Sequence, residues 1–170
     1  SAIKGIIPGH NEIIADYFYK RFGVPHDNFV VVSGPSHAEE VAQEKLTYLT
    51  VASQNRLNGA AVSGLFDCRY IRTSLTSDIY GSQYVPVMKN IIAIASGICS
   101  GLGYGDNFQA VLISNAIQEI NTFMDAVKPG TDRDINKSVY LGDLLVTCYS
   151  QFSRNRRYGQ MLAKGYTPIY

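Results

Sequence analysis

Lys89 lies inside VPVMKNIIAIASG, residues 85–97, an otherwise apolar helical pattern. An ammonium group there has two readings. Its stem packs while its head reaches water, or burial lowers its pKa and makes it a proton donor and acceptor near neutrality. On a helix Lys89 shares a face with Ala93, Ser96 and Gly97, small residues that leave room for a ligand beside it. A second stretch, SRNRR at 153–157, puts three arginines, Ser153 and Asn155 at a helix start. Free N–H groups, dipole and guanidinium forks together suit a phosphate. The alternative is a solvated basic face; a nucleic-acid patch is disfavoured by sparse aromatics and a net charge of +1.

Two further stretches carry polar residues at turns. In SGPSHAEEVA (33–42) Gly34 permits close backbone approach to a ligand, and Ser36 serves as helix cap or anion donor. An ordinary strand-to-helix turn explains it equally. Asp143, in GDLLVTC, reads as a cap unless it meets Lys89 in space. GLGYGDN (101–107) lacks the dinucleotide spacing and follows a helix, so it reads as a turn with Asp106 capping the next helix. His10, His26 and His37 have no metal-ligand spacing and read as structural or surface residues; no metal is expected.

The elements that must hold these residues fall into two halves. FVVVSGP (29–35), LTYLTVAS (46–53) and CRYIRTSL (68–75) read as strands. They alternate with helical patterns at 11–23, 37–45 and 55–67, the first with Ile13, Ile14, Tyr17, Phe18 and Phe22 as its apolar stripe and Gly23 as its stop. From Asp78 the pattern is helical throughout. Helices are expected over 78–101 and 106–127, with Phe108, Val111, Leu112, Asn115 and Glu119 on neighbouring turns of the second. A Gly142–Asp143 turn and a last helix from Ser153 follow. The expected architecture is α/β plus all-α. Residues 1–76 form the α/β part, and 77–170 a mainly helical part.

The 170 residues are 46% hydrophobic and 17% charged, enough for a packed core. The small net charge excludes a global field that would hold nucleic acid or an anionic membrane. Cys68, Cys99 and Cys148 are widely spaced, which suits a reducing compartment. The apolar run near Ile91 is interrupted by Lys89, Asn90 and Ser96, and reads as shorter than the roughly 20 residues of a membrane span.

In this order, the KG of SAIKGI, SGPSHAEEVA, KNIIAIASGICSGLGYGDN and GDLLVTCYSQFSRNRRYG closely resemble the signature segments of bacterial-type NAD(P)-dependent glycerol-3-phosphate dehydrogenase. The resemblance spans Lys4 to Gly159. It implies reversible reduction of dihydroxyacetone phosphate to sn-glycerol 3-phosphate, with NAD or NADP as cofactor. It implies Lys89 as catalytic acid/base and Asp143 as the acid that orients and tunes it. Substrate would meet Lys4, Gly34, Ser36, Asn90, Thr147, Ser153, Arg154 and Asn155; the cofactor would meet Lys4, Ala38 and Arg154. A cytoplasmic enzyme of phospholipid-precursor metabolism is implied, with room for a homodimer and no nucleic-acid partner.

The family's G-x-G-x-x-G segment is not found, so the chain reads as a truncated internal portion: the remnant of a Rossmann-like domain followed by a helical substrate domain. YTPIY (166–170) matches no family segment. Two alternatives stand beside this reading. One is a lysine-dependent hydroxyacid or 6-phosphogluconate-type dehydrogenase. The other is an inactive folded fragment serving only in oligomerisation. The first reading requires Lys4, Lys89, Asp143 and Asn155 to line one cleft, with Lys89 and Asp143 within about 8 Å, a few hydrogen-bond lengths.

Overall fold

Runs of β-branched residues form strands where sheet and helix cover both faces. A computed structural model describes residues 1–131 and 133–167; the end of the YTPIY segment lies outside them. β1 (Ile6–Ile7) and β2 (Glu12–Ile13) pair antiparallel. β3 (Val30–Ser33), β4 (Thr47–Ser53) and β5 (Ile71–Thr76) form a second sheet in that order. β3 and β4 are antiparallel, with Ser33 opposite Thr50, and β4 and β5 are parallel. α3 (Arg56–Phe66) lies against β4 and β5, its start capped by Asn55, whose side chain accepts from the Leu57 and Asn58 amides.

α1 (Ile14–Phe22) ends on Gly23 at φ +67°, the left-handed stop expected. Its apolar stripe does not bury as expected. Ile13 ends β2, and only Ile13, Ile14 and Ala15 reach the small core with Phe29, Val31, Ala52 and Ile79. Phe22 is 62% exposed. The rings of Tyr17, Phe18 and Phe22 instead meet one another edge-on or tilted along the helix surface. α2 is shorter than expected, Ala38–Ala42, because Glu44 turns at φ +56°.

Among the described residues every strand precedes Ser77, and helices follow: α4 (Gly81–Gly101), α5 (Asp106–Val127), α6 (Asp143–Tyr149) and α7 (Arg154–Ala163). α4 begins three residues later than expected, and at 21 residues it is long and apolar enough by length and composition to cross a membrane, although its apolar run reads as shorter than a span. Its neighbours are α5, α6 and α7. α5 buries Gln109, Ile113, Ala116, Ile120 and Met124, so the expected face is rotated, and Phe108 and Val111 face outward. The cause is polar: Gln109 accepts from the Ser96 hydroxyl at 2.8 Å and donates to the Ser96 carbonyl at 3.0 Å. Asp106 does not cap α5; Gly105 holds that position without a side-chain bond. No turn breaks the chain at Gly142–Asp143. A π-helical turn, Ser138–Gly142, runs directly into α6.

The small residues after Lys89 serve packing rather than a ligand. A Cβ on Gly97 would collide with the Arg156 carbonyl, and one on Gly159 with the Ile94 carbonyl. α4 and α7 therefore cross backbone to backbone. Gly159→Ala should lower the unfolding free energy by about 3 kcal/mol, the cost of overpacking against immovable backbone. Gly64→Ala, on a helical site with nothing within 4 Å, should raise it by up to about 1 kcal/mol. Denaturant titration of both variants checks this; equal effects would refute the close-crossing argument.

Candidate active site

Lys89 leaves α4 toward α6 and is 4% exposed. Its Nζ lies 2.5 Å from Asp143 Oδ1. Asp143 is the first residue of α6 and is 2% exposed, so the pair is desolvated on both sides. Lys4, from the extended N-terminal segment, approaches the other carboxylate oxygen at 3.8 Å. One turn along α6, the Thr147 hydroxyl donates to the Asp143 carbonyl at 2.6 Å, tightening the turn that presents the acid. Burial pushes the Lys89 pKa down to about 8; the Lys4 charge works the same way, and Asp143 opposes both. A buried ion pair is weak as a stability device. Chemically, such a pair can give or take a proton near neutral pH.

The pair opens on a cleft of about 630 Å³. Lys4, Ser36, Lys89, Asn90, Asp143, Thr147, Ser153, Arg154 and Asn155 all line it. The expected encounter of Lys4, Lys89, Asp143 and Asn155 in one cleft is present. Ser153 caps α7, its hydroxyl accepting from the Arg156 amide at 3.3 Å. Arg154 and Asn155 thus stand in the first turn of a helix whose free N–H groups and dipole favour an anion.

Gly34 and Ala38 are not among the lining residues. Gly34, at φ +123°, is required by the sheet: a Cβ there would sit 2.9 Å from the Tyr48 carbonyl oxygen. Ala38 is exposed at the start of α2. Ser36 does not cap α2; His37 occupies that position, without a side-chain bond. His37, expected as a structural or surface residue, is also a wall of the cleft, with its ring 6.1 Å from that of Phe152. Val146, Phe152 and Tyr158 complete the walls and were not anticipated. Helical spacing could have found two of them: Val146 is i+3 from Asp143, and Tyr158 is i+4 from Arg154.

The sequence profile described as the C-terminus of NAD-dependent glycerol-3-phosphate dehydrogenase matches residues 78–169, and the N-terminus profile matches 1–58. Glycerol-3-phosphate dehydrogenase [NAD(P)+] of Syntrophomonas wolfei is 39% identical over 92% of this chain and 45% of its own length. The similarly named protein of Lactobacillus delbrueckii is 40% identical over 97% of the chain and 49% of its own. The chain therefore spans about half the length of the curated relatives it matches. The glycerol-3-phosphate dehydrogenase structure from Coxiella burnetii superposes with a TM-score of 0.89 at 31% identity, covering 97% of this chain and 50% of that one. The Dunaliella salina structure gives 0.87 at 28%, covering 96% and 28%.

The opposed charges on Lys89 generate a sign test. Asp143→Asn removes the group that raises its pKa and should shift Lys89 titration below about 8; Lys4→Gln removes a like charge and should shift it above. The Nζ shift of Lys89 in ¹⁵N-lysine protein, followed against pH, reads both. Shifts of the same sign would contradict this electrostatic arrangement.

Proposed function

From the fact that this chain belongs to the NAD-dependent glycerol-3-phosphate dehydrogenase family, we propose that the cleft at Lys89 serves the reversible reduction of dihydroxyacetone phosphate to sn-glycerol 3-phosphate with NADH or NADPH. The observation that carries the reading is the buried Lys89–Asp143 pair, facing across one cleft the cationic first turn of α7. The substrate phosphate sits on Arg154, Asn155 and the α7 amides behind the Ser153 cap. That remote anchor directs the carbonyl to Lys89. Asn90 and Thr147 flank the substrate, and Ser36 and Gly34 shape the opposite turn.

The reduced nicotinamide supplies the hydride when bound. As the new C–H bond forms at C2, the carbonyl π pair moves to oxygen, where Lys89 first stabilises the negative charge and then gives up its proton. Asp143 orients the ammonium group, and Lys4 keeps its pKa near neutrality while attracting the anionic substrate. Solvent restores the proton to Lys89. Lys4 and Arg154 at the cleft, with the small exposed Ala38 nearby in sequence to Ser36, suit the part of a nucleotide site this chain contains.

The reading divides the chain at about residue 76, into the C-terminal part of a Rossmann-like cofactor domain and a helical substrate domain. A cytoplasmic setting and a role in phospholipid-precursor supply accompany it; the three free cysteines are consistent with the former. A homodimer joined through outward apolar residues such as Ile91, Phe108 and Val111 completes it.

The test is NAD(P)H oxidation with dihydroxyacetone phosphate, in the protein and in its Lys89→Ala variant. The variant should lose at least about 10³-fold in kcat, the scale of combined acid and electrostatic catalysis. Comparable turnover in the variant, or equal turnover of unphosphorylated ketones, would reject the proposal.

A further inference from the structure

A second buried charged cluster lies away from the cleft. Asp78, just ahead of α4, is 6% exposed and accepts four hydrogen bonds. Its Oδ1 takes the Gly81 amide at 2.9 Å, capping α4. Oδ2 takes Arg133 Nε and the Tyr140 hydroxyl, both at 2.6 Å. Arg133 Nη2 adds a bond to Oδ1 at 3.3 Å. Burial alone would raise the Asp78 carboxyl, but the bonds from Arg133, Tyr140 and Gly81 win and hold it below its ordinary range. Burial, with the Asp78 charge, raises the Tyr140 hydroxyl, so it remains a neutral donor.

The connectivity gives this cluster a consequence. Gly81 begins the helix that carries Lys89 eight residues later, and Tyr140 sits three residues before Asp143 in the unbroken π-to-α segment. One carboxylate thus ties together the two elements that carry the members of the 2.5 Å Lys89–Asp143 pair. We propose that Asp78, Arg133 and Tyr140 are positioning residues that set the Lys89–Asp143 separation, and through it the ionisation of Lys89. The inference rests on the reductase reading of the same cleft and deepens it, and its test requires no turnover.

Lys89 is faced by Asp143 from α6 and Lys4 from the N-terminal segment; the Cys148 thiol of α6 is also close enough to feel its charge. His37 and Arg154 share its cleft. Loosening the α4–α6 tie weakens chiefly the Asp143 attraction, which leaves burial and Lys4 to lower the pKa further. Tyr140→Phe keeps the ring, which is 2% exposed in the helical core, and removes only the oxygen.

The measurement is the Nζ titration of Lys89 in ¹⁵N-lysine protein, its resonance assigned by loss in Lys89→Met, beside a thermal melt of each variant. Tyr140→Phe should lower the titration midpoint by about one pH unit, a tenfold change in the ionisation constant. Arg133→Lys, which keeps the charge and loses the fork, should shift it in the same direction. Ile120→Val, a core change without polar contact to the pair, should lower the melting temperature and leave the midpoint in place. An unmoved midpoint in both cluster variants, or an equal shift in Ile120→Val, would overturn the proposal, because a purely structural role moves only the melt.

Discussion

The structure turns on the cost of keeping one ammonium group out of water. Lys89 is held within a helix that also supplies core residues, and its desolvation is answered by one carboxylate oxygen at 2.5 Å. Such a pair adds little to stability and is severely destabilising when one member is removed, on the order of 3–5 kcal/mol. The fold must therefore hold α4 and α6 in a fixed relation. The Asp78 cluster and the Ser96 hydroxyl, which donates to the Cys148 carbonyl of α6 at 3.0 Å, are buried polar contacts that span the two. Each would be costly without its partner.

The arrangement couples two kinds of packing. α7 approaches α4 through Gly97, Gly101 and Gly159, at a distance that admits no side chain. That contact brings the capped, cationic start of α7 to the cleft that Lys89 and Asp143 also line. The first turn of α7 and the Lys89–Asp143 pair are thus related by backbone contact rather than by flexible side chains, which would suit the proposed reaction, where a carbonyl must be fixed against its donor.

Much of the fold was legible in the residues. β-branched runs marked all three strands of the larger sheet, and long helical periods marked α4 and α5. What failed did so where a polar contact overrode an apolar pattern. Gln109 is buried because it grips Ser96, so the face of α5 read from Phe108 and Val111 was the wrong one. The aromatic stripe of α1 satisfies itself on the surface. Within the site, Lys89 and SRNRR were readable because charge inside an apolar helix, and cations at a helix start, are unusual locally. His37 and Phe152 carry no such mark; only the tertiary fold brings them to the cleft. At Gly34 the backbone alone calls for glycine, so its residue type could not by itself signal a ligand.

The π-helical turn at Ser138–Gly142 also fixes how this segment can change over evolutionary time. A π turn accommodates an added residue within a helical path, and the angular phase of everything after it depends on that residue. Loss of one residue there would relax the turn to α geometry and rotate Asp143 by about 100° around the axis, at 3.6 residues per turn. No cleft residue would be altered, yet the acid would face away from Lys89. Length is therefore a constraint on this stretch in its own right, beside the burial of Val139 and Tyr140 within it.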